Sequence, residues 1–249
     1  MTTQKMLSVM RKGVTKYNMI KDGDIIGVGV SGGKDSVTLL KLLAEYRRFS
    51  PERFTLYAIA VDLRFDGKDG DYSALKTFCE KHDVPLSIVS TDIGQVVFDV
   101  RKEKSPCALC SKMRKGALYD EAVKLGCNKI ALGHHADDVT DTFILSLLYE
   151  GRLSTFAPKS YLDRTGLTLI RPMLLISEAD VKAYAKEENL PIAKSRCPAD
   201  KHTRREDVKD AIQVLSKKVP NIREMIFTAI THPERYSLFD KYENQIDKI

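Results

Sequence analysis

At 249 residues, 43% of them hydrophobic and 30% charged, the chain is long enough for one large domain, or a domain with an appendage, burying roughly 70 to 75% of its unfolded surface. The lysine-broken amphipathic start, MTTQKMLSVMRKGVTKYNMIKDGD, and the absence of any apolar run approaching about eighteen residues point away from a signal peptide or a membrane span, so a cytoplasmic protein is expected. Five cysteines, an odd number, do not make a disulfide framework and leave metal or redox chemistry as their special role, while a net charge of +6 suits a polyanionic partner without requiring one.

Beyond the N-terminal helical pattern, the β-branched and glycine alternation of Asp24 to Val30 reads as a buried strand. It runs into Ser31-Gly32-Gly33-Lys34-Asp35-Ser36 and then a helix starting near Asp35 with Val37, Leu39, Leu40, Leu42 and Leu43 on its apolar side. Gly27, Gly29 and Gly32 match G-x-G-x-x-G, but two of these glycines fall inside the strand instead of at the turn after it, so the dinucleotide reading is accidental. A Walker loop fails twice, because Val28 stands where its first glycine belongs and Asp35 where its Ser or Thr belongs. What remains is a loop whose glycines let backbone amides approach an anion, whose hydroxyls and lysine add donors and charge, and whose following helix aims its positive end at the site. It is expected to bind phosphate.

Three further apolar runs read as strands, Phe54 to Asp62, Pro85 to Asp92 and Lys129 to Gly133, separated by helical patterns at Asp71 to His82 and Ala108 to Gly126. A helix from Ala136 to Tyr149, a Gly/Ser/Pro-containing connection from Gly151 to Gly166, and a fifth strand from Leu167 to Arg171, stopped by Pro172, follow. Ser177 to Glu188 reads as a helix with Ser177 as N-cap and Asp180 close to a capping box. Arg204 to Lys218 and Asn221 to Thr231 read as two more helices in a small C-terminal appendage. The alternation implies an α/β fold, a parallel sheet with helices on both faces and its ligand site at the carboxyl ends of the strands.

Two further constellations belong to that edge. Cys107 and Cys110 form a C-x-x-C at a helix start, where the dipole favours thiolates, and Cys197 stands far downstream in KSRCPADKHTRRED. Three readings compete: a redox pair, a zinc site completed by His202, or an iron-sulfur cluster on three cysteines that leaves one iron open to a small sulfur species. Cys79 and Cys127 lie on helix and helix-end positions with no partner spacing and read as core or surface residues. In ALGHHADDVTDTF, a strand ending in Gly133 delivers His134, His135, Asp137 and Asp138, whose carboxylates suit magnesium or the reacting groups of a nucleotide.

SGGKDS, the C-x-x-C at 107 and 110, GHHADD and the lone Cys197, in that order, resemble the tRNA 2-thiocytidine synthetase (TtcA) family within the TtcA/TtuA group of pyrophosphate-loop (PP-loop) N-type ATP pyrophosphatases. The resemblance runs from about Met6 to Phe239 and includes IRPMLLISEADVKAYAKEENLPI and the tail RYSLFD. It implies a Rossmann-like fold of the HUP, adenine nucleotide alpha hydrolase-like, kind. The expected divisions are an N-terminal helical segment over 1–22, the PP-loop domain over 23–200 and the helical appendage over 201–249. It also implies adenylation of the C2 oxygen of a tRNA pyrimidine, most naturally the cytidine at tRNA position 32, followed by displacement of AMP by sulfide from a [4Fe-4S] cluster. Carried over by position, Ser31, Gly32, Gly33, Lys34, Asp35 and Ser36 would bind ATP phosphates with Mg2+. Ala60, Val61, Asp62, Gly133 and His134 would line the nucleotide pocket, Cys107, Cys110 and Cys197 would hold the cluster or zinc in its place, and Asp137, Asp138 and Arg114 would serve the chemistry. A homodimer, and a cysteine desulfurase or free sulfide as sulfur donor, are implied with it. Family members often carry the third ligand within another C-x-x-C, whereas this chain has a single cysteine in Arg196-Cys197-Pro198. The 2-thiouridine branch adds zinc-binding Cys/His pairs at both ends, and this sequence carries none.

The chemistry is coherent without the family name. A pyrimidine C2 carbonyl is a poor electrophile, and attaching AMP to its oxygen makes that oxygen a good leaving group. Arg101, Lys102, Lys104, Lys112, Arg114 and Lys115 flank the cysteine pair, and Lys194, Arg196, Lys201, Arg204 and Arg205 flank the third cysteine. Such charges suit RNA phosphates, and a single-stranded loop lets a base leave its stack cheaply. The rival expectations are a sulfur transferase for a small molecule or cofactor, a lysidine-type or amidotransferase-like pyrophosphatase that needs no cluster, and a non-catalytic zinc-stabilised binding module.

Overall fold

The structure, a computed structural model, describes residues 2–101, 106–194, 196–198 and 204–236. Within these the chain forms two compact units, Met1–Ala136 with Ala157–His202, and Asp137–Phe156 with Thr203–Ile249.

The first unit is built on a six-stranded sheet ordered β3-β2-β1-β4-β6-β5. Its strands are β1 (Ile25–Gly29), β2 (Thr55–Asp62), β3 (Leu86–Ser90), β4 (Lys129–Ala131), β5 (Lys159–Leu162) and β6 (Leu167–Ile170). The pairs β1 with β2, β1 with β4, β2 with β3 and β4 with β6 are parallel. The central strands are Val, Ile and Ala runs because helices cover both faces, which removes the polar alternation of a half-solvated sheet. The strand order turns outward on either side of β1, so the crevice between the carboxyl ends of β1 and β4 is the switch point where an α/β sheet takes its ligand.

The helices of this unit are α1 (Thr3–Lys16), α2 (Lys34–Arg47), α3 (Ser73–Lys81), a short α4 (Ile93–Gln95) continued by a π turn at Val96–Val100, α5 (Pro106–Lys124) and α7 (Glu178–Glu187). Nine residues of α2, among them Val37, Leu39, Leu40, Leu42, Leu43 and Tyr46, are buried, as expected of a helix packed on several sides. On the other face Leu118 and Ala122 of α5 pack with Ile59, Cys127, Ile130, Leu167 and Leu169. Gly27 and Gly29 do lie inside β1, as their spacing implied. A Cβ at Gly27 would come within 2.9 Å of the Ile130 and Ile59 methyls, and one at Gly29 within 3.0 Å of Leu118. These glycines make room for the core instead of turning the chain.

One element departs from expectation. The connection over 151–166 contains β5, which pairs antiparallel with β6 through a turn in which Thr165 and Gly166 donate to the Leu162 carbonyl. Lys-Ser-Tyr-Leu is a short edge strand, exposed at every second position, and its weak apolar content hides it from pattern reading.

The second unit contains α6 (Ala136–Glu150) from Asp137 onward, α8 (Arg204–Ser216) and α9 (Ile222–Thr231). Val208 and Ile212 of α8 are almost fully buried. Among the described residues no helix is long and apolar enough to cross a membrane.

Candidate active site

The loop between β1 and α2 is shaped by its own small residues. Gly32 adopts φ +79°, and a Cβ there would stand 3.1 Å from that of Ala193, so glycine is required on both counts. Ser36 Oγ accepts the Ser31 N–H at 3.1 Å and donates to the Gly33 carbonyl at 3.0 Å, while Ser31 Oγ accepts the Gly33 N–H at 3.4 Å. The two hydroxyls thus brace the turn. Gly33 is the N-cap of α2 in extended conformation and brings no side chain to cap the helix. The first-turn amides of α2 therefore point into a concave, positively biased corner, which is the form of an anion site.

Charge is arranged around the same corner. Lys34 Nζ lies 3.0 Å from Asp35 Oδ1 and 3.1 Å from Glu178 Oε1 at the start of α7. Burial works against the lysine's charge, but its bonds to Asp35 and Glu178 prevail and raise its pKa. Burial likewise opposes ionisation of Glu178, yet hydrogen bonds from Lys34 and Lys182 bring its pKa down to about 2. His135, which is buried, places Nε2 3.7 Å from Asp35 Oδ1. Gly133 is where the end of β4 meets the start of α2, because a Cβ there would lie 2.8 Å from the Asp35 carbonyl oxygen. Its place beside the phosphate loop depends on having no side chain. Arg171, at the end of β6, donates from Nε to His134 Nδ1 at 3.2 Å and from Nη1 to the Ala157 carbonyl at 2.5 Å. Burial lowers the pKa of this guanidinium to about 10, still far above neutrality. Arg171 thus orients the His134 ring through Nδ1, which accepts its hydrogen bond.

Past the end of β2 the chain makes a tight loop. Asp62, 5% exposed, accepts the Arg64 N–H on Oδ1 at 3.0 Å and the Gly70 N–H on Oδ2 at 2.7 Å. Its carboxylate organises the loop backbone, with Ala60 fully buried behind it and Val61 half-buried. Tyr72 also bonds to Asp62, and burial first, then that carboxylate, push its phenol up to about 12.

Pro106 opens α5, a position where its missing N–H costs nothing. Cys107 and Cys110 thus sit on one face of the first turn, Cys107 exposed and Cys110 half-buried. Burial raises the Cys110 pKa, Arg114 lowers it, and Cys197 and Cys107 raise it further, so the three thiols share one electrostatic neighbourhood with Arg114 beside them. Among the described residues no three His, Cys, Asp or Glu groups are gathered closely enough to hold a single metal ion. The donor set itself, three soft thiols next to a cation, suits iron-sulfur or zinc chemistry. His202, Lys102, Lys104 and Lys201 lie outside the described residues.

Residues 4–214 match the family model described as a PP-loop domain. Over 240 residues the chain is 35% identical to the tRNA-cytidine(32) 2-sulfurtransferase of Syntrophotalea carbinolica, which covers 95% of this chain and 92% of that protein. It is 33% identical over 242 residues to the enzyme of the same name from Geobacter sulfurreducens, with 95% and 93% covered. The chain belongs to the tRNA 2-thiocytidine synthetase family of PP-loop proteins. Among solved structures it resembles the U34-tRNA thiolase NcsA of Methanococcus maripaludis with its [4Fe-4S] cluster, at TM-score 0.76 and 26% identity over 94% of this chain and 79% of that one.

Within this 2-thiocytidine synthetase-family chain, the first unit gathers Ser31 to Ser36, Gly133, His134 and the loop after Asp62 at the carboxyl edge of the sheet. Cys107, Cys110, Cys197 and Arg114 form the second group of that unit. Asp137 and Asp138 belong to the second unit, where Asp137 Oδ1 lies 3.4 Å from Arg223 and Asp138 Oδ1 lies 3.4 Å from Arg205. Three basic residues read as RNA-facing have internal partners: Arg205 has Asp138, Arg204 lies over the Tyr149 ring at 5.0 Å, and Arg196 has backbone carbonyls of the loop after β2. Sequence reading passed over Glu178 and Arg171. Glu178 was hidden inside a capping pattern, where a first-turn acid is ordinary. Arg171 carried a usable signal, a cation ending an apolar strand at the ligand edge.

Proposed function

We propose that the chain is an ATP-dependent tRNA sulfurtransferase that converts a cytidine, the one at tRNA position 32, to 2-thiocytidine. What carries the reading is the presence, in one unit of a 2-thiocytidine synthetase-family fold, of an anion-binding glycine loop and a C-x-x-C whose Cys110 feels both Cys107 and the distant Cys197. The first-turn amides of α2 and Lys34 hold the β- and γ-phosphates, with Asp35 positioned to meet their Mg2+. The C2 oxygen of the base attacks the α-phosphorus, pyrophosphate leaves, and the base carries AMP on that oxygen. Sulfide then adds at C2 and the C2–O bond breaks, so AMP departs with the original oxygen. His134, oriented by Arg171 through Nδ1, lines the nucleotide pocket. Arg114, on the helix that carries the cysteine pair, serves the adenylated base. Bound by Cys107, Cys110 and Cys197, a [4Fe-4S] cluster would supply an iron with an open coordination position for sulfide.

The enzyme works in the cytoplasm as a homodimer and draws sulfur from a cysteine desulfurase or from free sulfide. The test is mass spectrometry of nucleosides from total tRNA with and without the gene. Loss of 2-thiocytidine is expected. Loss of a different thionucleoside would overturn the choice of base, and an unchanged profile would overturn tRNA as substrate.

A further inference from the structure

Cys197 stands alone in its segment, far in sequence from the C-x-x-C it joins, so something other than a second C-x-x-C must bring it there. Two anchors flank it. Ala193 donates its N–H to the Gly32 carbonyl of the phosphate loop at 3.0 Å. Four residues span at most about 14 Å, so this bond already confines Cys197 to the neighbourhood of that loop. The second anchor is Arg196, the residue immediately before the cysteine. Its Nη1 donates to the Asp69 carbonyl at 3.0 Å, and its Nη2 donates to those of Phe65 and Lys68 at 3.1 and 3.2 Å.

The loop that receives Arg196 is built to present those carbonyls. Arg64, Asp66 and Gly67 all take left-handed conformations, with φ of 48°, 57° and 67°, which two non-glycine residues adopt only when their surroundings over-determine them. The buried Asp62 carboxylate supplies that constraint by accepting the N–H groups of Arg64 and Gly70 at the two ends of the loop. A carbonyl cluster turned toward one guanidinium is a receptor for it, and a planar fork of donors suits it where a lysine's point charge would not.

We propose that Arg196 is the positioning residue for Cys197, locking the third thiol beside Cys107 and Cys110 by plugging into the carbonyls of Phe65, Lys68 and Asp69. The proposal rests on the reading of these cysteines as a cluster site. It adds that this site borrows its third ligand from a segment clamped to the loop after β2. Because the same segment is tied to Gly32, the third ligand and the phosphate loop share a mechanical support.

The test uses the full-length, metal-free protein with Cys107→Ser, so that dibromobimane reports only the bridging of Cys110 to Cys197. Arg196→Ala is expected to lower the fluorescent adduct at least fivefold, and Arg196→Lys should recover a minor part of it. Asp62→Asn, which loosens the receiving loop without touching the segment, should lower it as well. Far-UV circular dichroism and the melting temperature keep a folding failure apart from a positioning effect. In parallel, with all native cysteines present, anaerobic reconstitution followed by a chelator challenge should show Arg196→Ala losing iron at least fivefold faster than the unaltered protein. Equal bimane yield in Arg196→Ala and its parent would overturn the proposal. If the unaltered protein takes up no iron, the cluster reading fails, and the bimane comparison alone decides the role of Arg196.

Discussion

Lys34 Nζ stands 3.1 Å from Glu178 Oε1, so the one lysine of the phosphate loop is held by a carboxylate from the first turn of α7. Both side chains are about three-quarters buried, at 25% and 22% exposure, and the pair matters more than a surface ion pair would. Glu178 has its pKa lowered from 4.5 to about 2. A carboxyl depressed on folding stabilises the fold above its unfolded pKa, and that stabilisation disappears as pH falls from about 4.5 toward 2. At about 1.4 kcal/mol per pKa unit the linkage amounts to about 3 kcal/mol. Glu178→Gln should therefore be less stable than the unaltered protein at pH 7, and urea unfolding should show the gap shrinking to less than half by about pH 3 and closing toward about pH 2. A constant difference across that range would rule out the ionised carboxylate as the cause.

Gly133 and Gly32 test the loop from its two sides. Alanine at 133 puts a Cβ 2.8 Å from the Asp35 carbonyl oxygen and 2.9 Å from its carbon, backbone atoms that cannot swing away. Such overpacking costs about 1 to 3 kcal/mol, and relief must come by shifting the start of α2. Gly133→Ala should then weaken ATP binding, read by calorimetry, along with stability. Alanine at Gly32 meets only another methyl at 3.1 Å but is forced to φ +79°, which costs about 1 to 3 kcal/mol. It should distort the anion corner and reduce AMP formation strongly. Nucleotide affinity unchanged in both variants would show that this corner does not hold the phosphates.

The strands, most helices and the phosphate loop were legible because their signals are local. Glycines inside an apolar alternation, a glycine pair after it and a leucine-rich helix to follow say where the chain extends, turns and coils. The cysteine pair was legible for the same reason, since a spacing of three in a first turn puts two side chains on one face. What stayed hidden depends on residues distant in sequence meeting in space. Nothing near Glu178 reveals that Lys34 lies across from it. Nothing in Arg196-Cys197-Pro198 reveals a loop of left-handed residues turning its carbonyls toward the arginine. Asp137 and Asp138 read as open first-turn carboxylates, and only packing within the second unit shows them beside Arg223 and Arg205. Strand β5 escaped because an edge strand of four residues carries too little apolar pattern to announce itself.

Thiol reactivity should separate the five cysteines. Cys79 is 1% and Cys127 7% exposed, and burial pushes both thiols up to about 11. Alkylation needs an accessible thiolate. In native, metal-free protein at pH 8, iodoacetamide should modify Cys107 first, with Cys79 and Cys127 reacting only after denaturant is added. Peptide mass spectrometry with a time course reads the order directly. Early labelling of Cys79 or Cys127 would contradict the burial, and protection of Cys107 on reconstitution with iron and sulfide would place the metal at the C-x-x-C.

The second unit is held by a buried charge whose removal should be pH-dependent. Asp141 is 1% exposed. It receives the Arg223 guanidinium at 2.7 Å, while the same Nη1 lies 3.2 Å from Thr140 Oγ1 and 3.4 Å from Asp137 Oδ1. Burial raises the Asp141 pKa, and Arg223 works against that rise without cancelling it. A carboxyl raised on folding makes its charged form the costly one, so its destabilising contribution is present at neutral pH and fades as pH falls through the folded value. Arg223→Ala leaves the buried carboxylate without its guanidinium, which typically costs about 3 to 5 kcal/mol, and it pushes the pKa higher still. The helical circular-dichroism signal of Arg223→Ala should melt well below that of the unaltered protein at pH 7.5, by about 6 °C or more. Much of the gap should close as the pH is lowered, because Asp141 then takes up a proton and no longer needs the arginine. Pairing Arg223→Ala with Asp141→Asn should recover the same part of the gap at pH 7.5 without any change of pH. If neither acid nor Asp141→Asn restores stability, Arg223 matters through Asp137 and packing, and the Asp141 charge is not what it neutralises.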